Sequence, residues 1–357
     1  MKIAMIADRL TMGGLETHLI TVINELLRRG HQVLLDTAFI APEIRLQIRD
    51  YHHDFQQVDW SASPVEDLRG FRPDVIHAHP FTAIFRGYEA AHSMQKPLFV
   101  TMHGLYDFGL DRSPMGNLVC GKVKRVIAVD HGVAELLSRS IAHPEKISVI
   151  YNGIDFNQFQ PKPLQRLERV ALGLHPEWPT LVVVSRIADG KERTIFQLLD
   201  CVATIATQLE GLNVLIVGGG SCFTQLQARL ALLADAAKLR VLTVGQQMEV
   251  LKYLTLADLI LACDRAAMEA LASRKPVFAI NAAGFAGIIN TANFENILLY
   301  RRGYRQFSQD ELTQELVGLL QDLPALNQRA QEGYAIVRSH FDIEKVVGQL
   351  VDLYQKV

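Results

Sequence analysis

Short apolar runs alternate with longer amphipathic segments along most of the chain. In the first half the apolar runs cover residues 2–7, 32–38, 74–79, 98–103, 125–130 and 146–152. In the second half they cover residues 180–185, 213–217, 240–244, 258–262 and 276–280. Continuous apolar runs of this length, separated by segments of helical period, are typical of parallel strands joined by crossover helices. The pattern predicts an α/β fold built twice.

A proline-rich stretch divides the pattern into two parts. Residues 157–179 carry four prolines and interrupt both the strand and the helix periodicity, so they are predicted to form a linker. A chain of 357 residues also exceeds what one hydrophobic core usually supports. From residue 309 onward only helical patterns occur, and the last of them is predicted to return to the first domain. The predicted divisions are residues 1–160, 161–340 and 341–357.

Composition and charge exclude several classes of function. The chain is 49% hydrophobic and 21% charged, with a formal net charge of -2, so no basic field draws it to nucleic acid. Four cysteines are scattered without any CxxC pair, which argues against a zinc site or a disulfide framework and favours a reducing cytoplasm. The first ten residues are too short an apolar run for a signal peptide, and no run approaches about 18 apolar residues. We expect a cytoplasmic protein, and peripheral contact with the inner face of a membrane stays open.

Two segments, one in each half, have the chemistry of an anion site. Gly13 and Gly14 follow the first predicted strand and leave bare backbone N–H groups at a helix N-terminus. Arg186 and Lys191 follow the first strand of the second half, where a guanidinium fork and a point charge suit a diphosphate. Each segment also has a purely structural explanation. The glycines would serve a tight turn that needs φ > 0, and the cations would be solvated beside neighbouring carboxylates.

Eight motifs in order resemble those of a known family. They are Gly13-Gly14-Leu15-Glu16 with the segment 26–33, Asp74-Val-Ile-His-Ala-His79, Thr101-x-His103-Gly104, Val126-Ile-Ala-Val129, Val149-Ile-Tyr-Asn-Gly-Ile-Asp155, Ser185-Arg186-x4-Lys191, Ile216-Val-Gly-Gly-Gly220 and Glu269-Ala-Leu-Ala-x3-Pro276-Val277. This set is similar to the landmarks of the family-4 retaining glycosyltransferases over nearly the whole chain. The resemblance implies the GT-B fold, in which two Rossmann-like domains face a central cleft and a C-terminal helix crosses back to the first domain.

The resemblance also implies roles for individual residues. The diphosphate of a nucleotide sugar would be held by Arg186 and Lys191, and Glu269 would accept hydrogen bonds from the ribose hydroxyls. His103 would lie near the donor sugar and act with the two cations in catalysis. The donor site would further include Gly13, Gly14, Gln247, Met248 and Arg265, and the acceptor side Glu16 and His79. Structural alternatives remain for these residues: a helix-surface position for Glu269, a satisfied strand-end histidine at 103, and simple packing for Gly218-Gly219-Gly220.

One departure from the family pattern lies just before Glu269. The family carries two Glu eight positions apart, and here the first position holds Leu261. Asp264 and Arg265 stand at the predicted helix start instead. Asp264 would serve as the N-cap, and Arg265 would either contact phosphate or pair with Asp264.

The sequence therefore predicts an enzyme that moves a sugar from a UDP- or GDP-linked donor to a glycan or lipid-linked acceptor. The resemblance implies retention at the anomeric carbon, hexosyl transfer without a metal ion or other cofactor, and a place in envelope polysaccharide assembly. No DxD triplet occurs in the chain. Two alternatives stay open: a nucleotide-sugar epimerase of the same fold, and an inactive scaffold that binds nucleotide sugar.

Overall fold

The computed structural model describes residues 1–50, 53–160 and 166–356. The chain divides into two compact units, one formed by Met1–Asp155 with the segment that begins at Phe341, the other by Phe156–His340. The predicted domain boundary at residues 160 and 161 stays a prediction, because residues 161–165, which include Pro161 and Pro163, lie outside the described part. The last residue of the predicted third segment, Val357, lies outside it too.

The first unit is built on a parallel sheet. Its strands are β1 (Lys2–Leu10), β2 (Gln32–Ile40), β3 (Phe55–Asp59), β4 (Val75–Ala78), β5 (Leu98–Met102), β6 (Val123–Ala128) and β7 (Ile147–Val149). Its helices are α1 (Gly14–Arg28), α2 (Pro42–Arg45), α3 (Pro64–Arg69), α4 (Thr82–Ser93), α5 (Pro114–Lys122) and α6 (His131–Ser140), with a 3₁₀ turn at Pro144–Lys146. Across the described residues the strand order is β3-β2-β1-β4-β5-β6-β7.

The second unit repeats this plan with one antiparallel strand at the edge. Its strands are β8 (Thr180–Val184), β9 (Leu212–Val217), β10 (Leu239–Gly245), β11 (Leu259–Ala262), β12 (Val277–Asn281) and β13 (Gly284–Ile288). Its helices are α7 (Arg166–Ala171), α8 (Glu192–Leu199), α9 (Val202–Gln208), α10 (Phe223–Ala231), α11 (Leu251–Leu254), α12 (Asp264–Ala272), α13 (Gln309–Gln321) and α14 (Leu323–His340), with a π-helical turn at Glu295–Leu299. The strand order is β10-β9-β8-β11-β12-β13, and only the β12–β13 pair among the described strands of this sheet is antiparallel.

The C-terminal helix α15 (Ile343–Gln355) belongs to the first unit, which confirms the predicted return to that domain. It packs on α1, where Arg28 bonds the carboxylate of Glu344 over 3.1 Å. Its entry is fixed by a short parallel bridge in which Ile154 N–H donates to the carbonyl of Phe341 over 2.7 Å. None of the described helices is long and apolar enough to cross a bilayer.

Helix starts follow local capping chemistry. The side chains of Ser113 and Asp130 accept hydrogen bonds from backbone N–H groups in the first turns of α5 and α6. Ser308 and Glu311 form a reciprocal capping box at the start of α13. The apolar faces of the helices then close over the two sheets, each of which is buried among aliphatic side chains.

Two short edge strands escaped the prediction. The strand β3 lies beyond β2 and has partly exposed polar positions, while β13 contains two glycines in five residues. Edge strands of this kind lack the continuous apolar run that marks a strand buried on both faces. The predicted central strands are all present, with ends that differ by one to three residues.

The predicted linker at residues 157–179 is partly wrong, because it contains α7 and a buried arginine. The guanidinium of Arg169 donates twice to the carbonyl of Leu256 and bonds the carboxylate of Asp258 over 2.7 Å. It also donates to the carbonyl of Trp178 over 3.2 Å. A buried guanidinium that satisfies free carbonyls ties this segment firmly to the second unit.

Candidate functional site

Both sheets have a point where the chain reverses its direction of travel across the sheet. In the second unit the chain runs from β8 to β9 and β10 on one side, then returns to β11 on the other. In the first unit the same reversal separates β1 from β4. Ligands of open α/β sheets bind at the carboxyl ends of the strands that flank such a reversal. Most of the predicted site residues directly follow these strands.

The cations of the second unit gather after β8. Arg186 is exposed and forms no ion pair with any residue of the described ranges, and Lys191 stands at the N-cap of α8. The ammonium of Lys191 lies 3.9 Å from Oδ2 of Asp264. A third cation, Arg301, lies 3.4 Å from Oδ1 of the same carboxylate. The neighbouring Asp189, one of the carboxylates close to the cations in the sequence, accepts from the thiol of Cys222.

Asp264 has an unusual backbone. The N-cap of α12 is Cys263, so the prediction of an N-cap at Asp264 is wrong. Asp264 itself has φ of 50°, a left-handed conformation that non-glycine residues adopt with strain and that is enriched near functional sites. Leu261, which stands at the position of the first family Glu, is fully buried in β11. A carboxylate there would be buried inside the sheet, whereas Asp264 places one at the carboxyl edge.

Arg265 and Glu269 form a buried pair on α12. Arg265 Nε donates to Oε1 of Glu269 over 2.7 Å, one helical turn away. The predicted surface position for Glu269 is therefore wrong. Burial raises the pKa of Glu269, and the guanidinium of Arg265 opposes that rise. The pair gives Glu269 a fixed orientation.

The glycines after β9 hold the loop that carries Arg186. A Cβ at Gly218 would lie 1.8 Å from the carbonyl oxygen of Ser185, and one at Gly220 would lie 2.6 Å from that of Ile187. Both glycines have φ near 150°, a conformation in which other residues are strained. Ile187 N–H donates to the Gly219 carbonyl over 2.9 Å. Packing alone thus accounts for the glycines, and it fixes the position of the cation loop.

The other donor residues predicted in the second unit follow β10. Gln247 is half-buried and donates from its amide to the carbonyl of Val244 over 2.6 Å, and Met248 is half-buried beside it. They lie after the edge strand of the sheet, two strands from β8. Their proposed contact with the base stays a prediction.

In the first unit, the glycine pair opens α1. Gly13 is the N-cap with φ of 174°, which is ordinary extended backbone, and Gly14 does not have positive φ. The tight turn expected as the structural alternative is therefore wrong. A Cβ at Gly14 would meet nothing within 4 Å, so the space above this backbone is open. Glu16 folds back and accepts from the N–H of Thr11 over 3.3 Å.

Two predicted histidines are in direct contact. His79 follows β4, His103 follows the neighbouring strand β5, and His79 Nδ1 lies 3.0 Å from His103 Nε2. Their rings are stacked, with centroids 5.2 Å apart. His77 stacks on the other face of His79 with centroids 4.8 Å apart, and His18 of α1 meets His103 edge-on. We name the stacked residues His77, His79 and His103 the histidine column.

The ring of His77, at one end of the histidine column, is held by hydrogen bonds to α15 and β5. His77 Nδ1 lies 2.5 Å from the hydroxyl of Tyr354, and its Nε2 lies 2.7 Å from the hydroxyl of Thr101. Burial raises the pKa of Tyr354, so its hydroxyl keeps its proton and is a neutral hydrogen-bond partner of His77. Within the described ranges, no group of three or more His, Cys, Asp or Glu side chains is arranged to hold a metal ion.

Sequence reasoning did not assign a site role to four of these residues. Arg301 carries no motif and reaches Asp264 only through the turn that follows the π-helical segment. His18, Thr101 and Tyr354 join the column from separate elements, and only the shared face of His77 and His79 could be foreseen from strand alternation.

Two family models match successive parts of the chain. The model for Glycosyltransferase Family 4 matches residues 12–158, and the model for Glycosyl transferases group 1 matches residues 178–322. The chain belongs to the family-4, group 1 glycosyltransferases. The segment that carries α7 lies between the two matched ranges.

Curated relatives of this family match over part of their length. A D-inositol 3-phosphate glycosyltransferase of Jonesia denitrificans is 27% identical over 241 residues, which are 59% of this chain and 56% of that protein. One from Mycobacterium ulcerans is 27% identical over 161 residues, 42% of this chain and 33% of that protein. The chain thus spans little more than half of one of these relatives and a third of the other.

Solved structures of the same fold cover the whole chain. HepE of Anabaena, crystallised with UDP and with UDP-glucose, has a TM-score of 0.77 at 19% identity, with 100% of both chains covered. The sucrose-phosphate synthase of Thermosynechococcus elongatus has a TM-score of 0.73 at 18% identity, covering 99% of this chain and 98% of its own. The fold of the present family member is of the GT-B type.

Proposed function

We propose that this protein transfers a hexosyl group from a UDP-linked donor to a glycan or lipid-linked acceptor, with retention and without a metal ion. One observation carries the proposal: Lys191, Asp264 and Arg301 meet at the carboxyl edge of the second sheet, where a ligand of such a sheet binds. The UDP and UDP-glucose complexes of HepE support uridine as the base. A place in envelope polysaccharide assembly is part of the proposal.

The chemistry requires positive charge at the leaving group. Cleavage of the anomeric C–O bond puts negative charge on the β-phosphate oxygen of the nucleoside diphosphate. Arg186 is exposed for a bidentate contact, and Lys191 supplies a point charge at the start of α8. These two residues would hold the diphosphate in the ground state and stabilise it as it leaves.

The rest of the donor would be held by groups with fixed orientation. Glu269, oriented by Arg265, would accept hydrogen bonds from the ribose hydroxyls. Gln247 and Met248 would face the base. In the first unit the open backbone at Gly14 allows close approach of a phosphate or sugar, and His103 would contact the transferred sugar.

The buried Leu261 favours one competing function, an inactive scaffold that binds nucleotide sugar without turnover. Asp264 argues for activity, since it returns a carboxylate to the carboxyl edge within three residues of the missing Glu. An epimerase would need acid and base groups around the sugar carbon that is inverted.

The experiment is a donor panel with analysis of products. The protein is incubated in EDTA with UDP- and GDP-linked hexoses, with and without a panel of glycan and lipid-linked acceptors, and released nucleotide and sugar configuration are measured by NMR. We expect UDP release from one UDP-hexose and an α-linked product from an α-linked donor. Conversion of donor into a sugar epimer without acceptor would assign an epimerase, and tight binding without any nucleotide release would assign a scaffold.

A further inference from the structure

His79 occupies the middle of the histidine column and is shielded from solvent. Only 2% of its surface is exposed, and it lies between His77 and His103. A side chain in this place cannot reach an acceptor directly, which was the role predicted from the sequence. Its side chain makes one hydrogen bond among the described residues, the 3.0 Å contact from Nδ1 to His103 Nε2.

One proton lies between Nδ1 of His79 and Nε2 of His103. Two neutral imidazoles can share a hydrogen bond only if one nitrogen carries the proton and the other accepts it. Burial lowers the pKa of His79 to about 3, so His79 is neutral near pH 7. The protonation of one ring therefore determines the tautomer of the other.

The surroundings of His79 decide the direction of the bond. Its Nε2 is buried and has no hydrogen-bond partner among the described residues. Buried N–H groups without an acceptor are the rarer kind of unpaired polar group, so Nε2 is the unprotonated nitrogen. The proton of His79 is then on Nδ1, which donates to His103 Nε2. As a result, His103 carries its own proton on Nδ1.

We propose that His79 is a positioning residue that holds the ring of His103 and selects its Nδ1–H tautomer. The inference rests on the proposed function in one respect only, the contact of His103 with the transferred sugar. His77 also fixes the ring of His79. Tyr354 and Thr101 bind both nitrogens of His77, so the ring on which His79 stacks is held in place. This tautomer puts an N–H at Nδ1 of His103, the group that the proposed contact with the transferred sugar would use.

A matched pair of variants separates positioning from packing. His79→Asn keeps an N–H donor near the place of Nδ1, whereas His79→Leu fills similar space without a donor. The first measurement is the ¹⁵N spectrum of histidine-labelled protein, with His103 assigned by its loss in His103→Gln. We expect the Nδ1–H tautomer of His103 in the wild type and in His79→Asn, and a mixture of both tautomers in His79→Leu.

Activity gives the second measurement. We expect kcat to fall about 10- to 100-fold in His79→Leu, by analogy with the loss of a group that orients a metal-bound histidine. The donor KM should stay within about twofold, and His79→Asn should recover most of kcat. Leucine in place of the exposed His92 on α4 is the control and should leave both constants unchanged.

The ¹⁵N spectrum tests the positioning role of His79 without relying on sugar-transfer activity. An unchanged His103 tautomer in folded His79→Leu, or the Nε2–H tautomer in the wild type, would overturn it. If His79→Leu does not fold, His79→Gln replaces it, because its amide reaches the place of Nε2 and should not restore the tautomer. Absence of transfer in the wild type, with the tautomer changes as expected, would refute the proposed function and leave the positioning role intact.

Discussion

Arg265 and Glu269 are joined by a hydrogen bond of 2.7 Å on the buried face of α12, with both side chains about nine-tenths buried. Burial raises the pKa of the Glu269 carboxyl group, and the guanidinium of Arg265 opposes that rise. This is the arrangement that a carboxylate needs to accept two hydroxyl donors from a ribose. The contribution of this pair to the free energy of unfolding can be measured with single and double variants.

Removal of the guanidinium should destabilise the fold. Arg265→Leu leaves the carboxylate of Glu269 buried without this partner, and we expect the free energy of unfolding to fall by about 3 to 5 kcal/mol at pH 7. The double variant with Glu269→Leu should recover most of the loss. Urea denaturation measures both. Equal stability of the single and double variants would contradict the account.

The same variant predicts a pH dependence with a definite sign. Glu269 in Arg265→Leu should have a folded-state pKa raised further above its unfolded value. The folded protein then binds the proton more readily, so the destabilisation should shrink as the pH falls from 7 towards 5. A gap to the wild type that widens over this range would be the contrary result.

The ribose contact is tested by charge removal. Glu269→Gln keeps the shape of the side chain but is a weaker acceptor, so the preference for UDP over 2′-deoxy-UDP should shrink by roughly 1 kcal/mol. The exposed Glu315→Gln on α13 serves as the control. Calorimetric titration of both nucleotides gives the preference. A wild type that binds the two equally would assign Glu269 a structural role only.

Asp264 should compete with the diphosphate for the cations. Its carboxylate is 48% exposed and lies near Lys191 and Arg301, so Asp264→Asn should tighten UDP binding about two- to fivefold, the size of a partly exposed ion pair. Asparagine tolerates the left-handed backbone at this position. The exposed Asp235→Asn is the matched control. Weaker UDP binding in Asp264→Asn would show that the carboxylate orders the site instead.

The open backbone at Gly14 allows a test of ligand approach. No atom outside the local chain would lie within 4 Å of a Cβ there, so Gly14→Val should fold like the wild type. It should nevertheless abolish transfer, while UDP still binds to the second unit. Gly121→Val, at another glycine with open space around it, is the control for folding and activity. Full activity of Gly14→Val would remove the glycine pair from the donor site.

The buried histidines make stability fall in mild acid. His79 has a folded pKa of about 3, below its unfolded value, so the unfolded chain binds more protons between these values. The free energy of unfolding should therefore drop by about 2 kcal/mol through this residue alone between pH 7 and pH 5. In His79→Leu that part of the drop should be absent. If the free energy of unfolding has the same pH dependence in the wild type and in His79→Leu, His79 is not a neutral, buried group.

The sequence predicts what depends on local pattern and misses what depends on distant contacts. Central strands and the return of α15 follow from continuous apolar runs and helical period, whereas the edge strands β3 and β13 lack such runs. Arg169 looked like part of a linker because its carbonyl partner at Leu256 lies 87 residues further along the chain. The bond between His79 and His103 depends in the same way on the register of β4 against β5.

The most direct test of the account is calorimetric titration of UDP into the wild type, Lys191→Ala and Lys252→Ala in the presence of EDTA. Lys191 lies in the cation loop, whereas Lys252 is an exposed lysine of α11 in the same unit. We expect the wild type and Lys252→Ala to bind alike and Lys191→Ala to lose about 1 to 3 kcal/mol, the contribution of a charge-assisted contact. Equal affinity of all three folded proteins, or no binding of UDP by the wild type, would contradict the assignment of the diphosphate site.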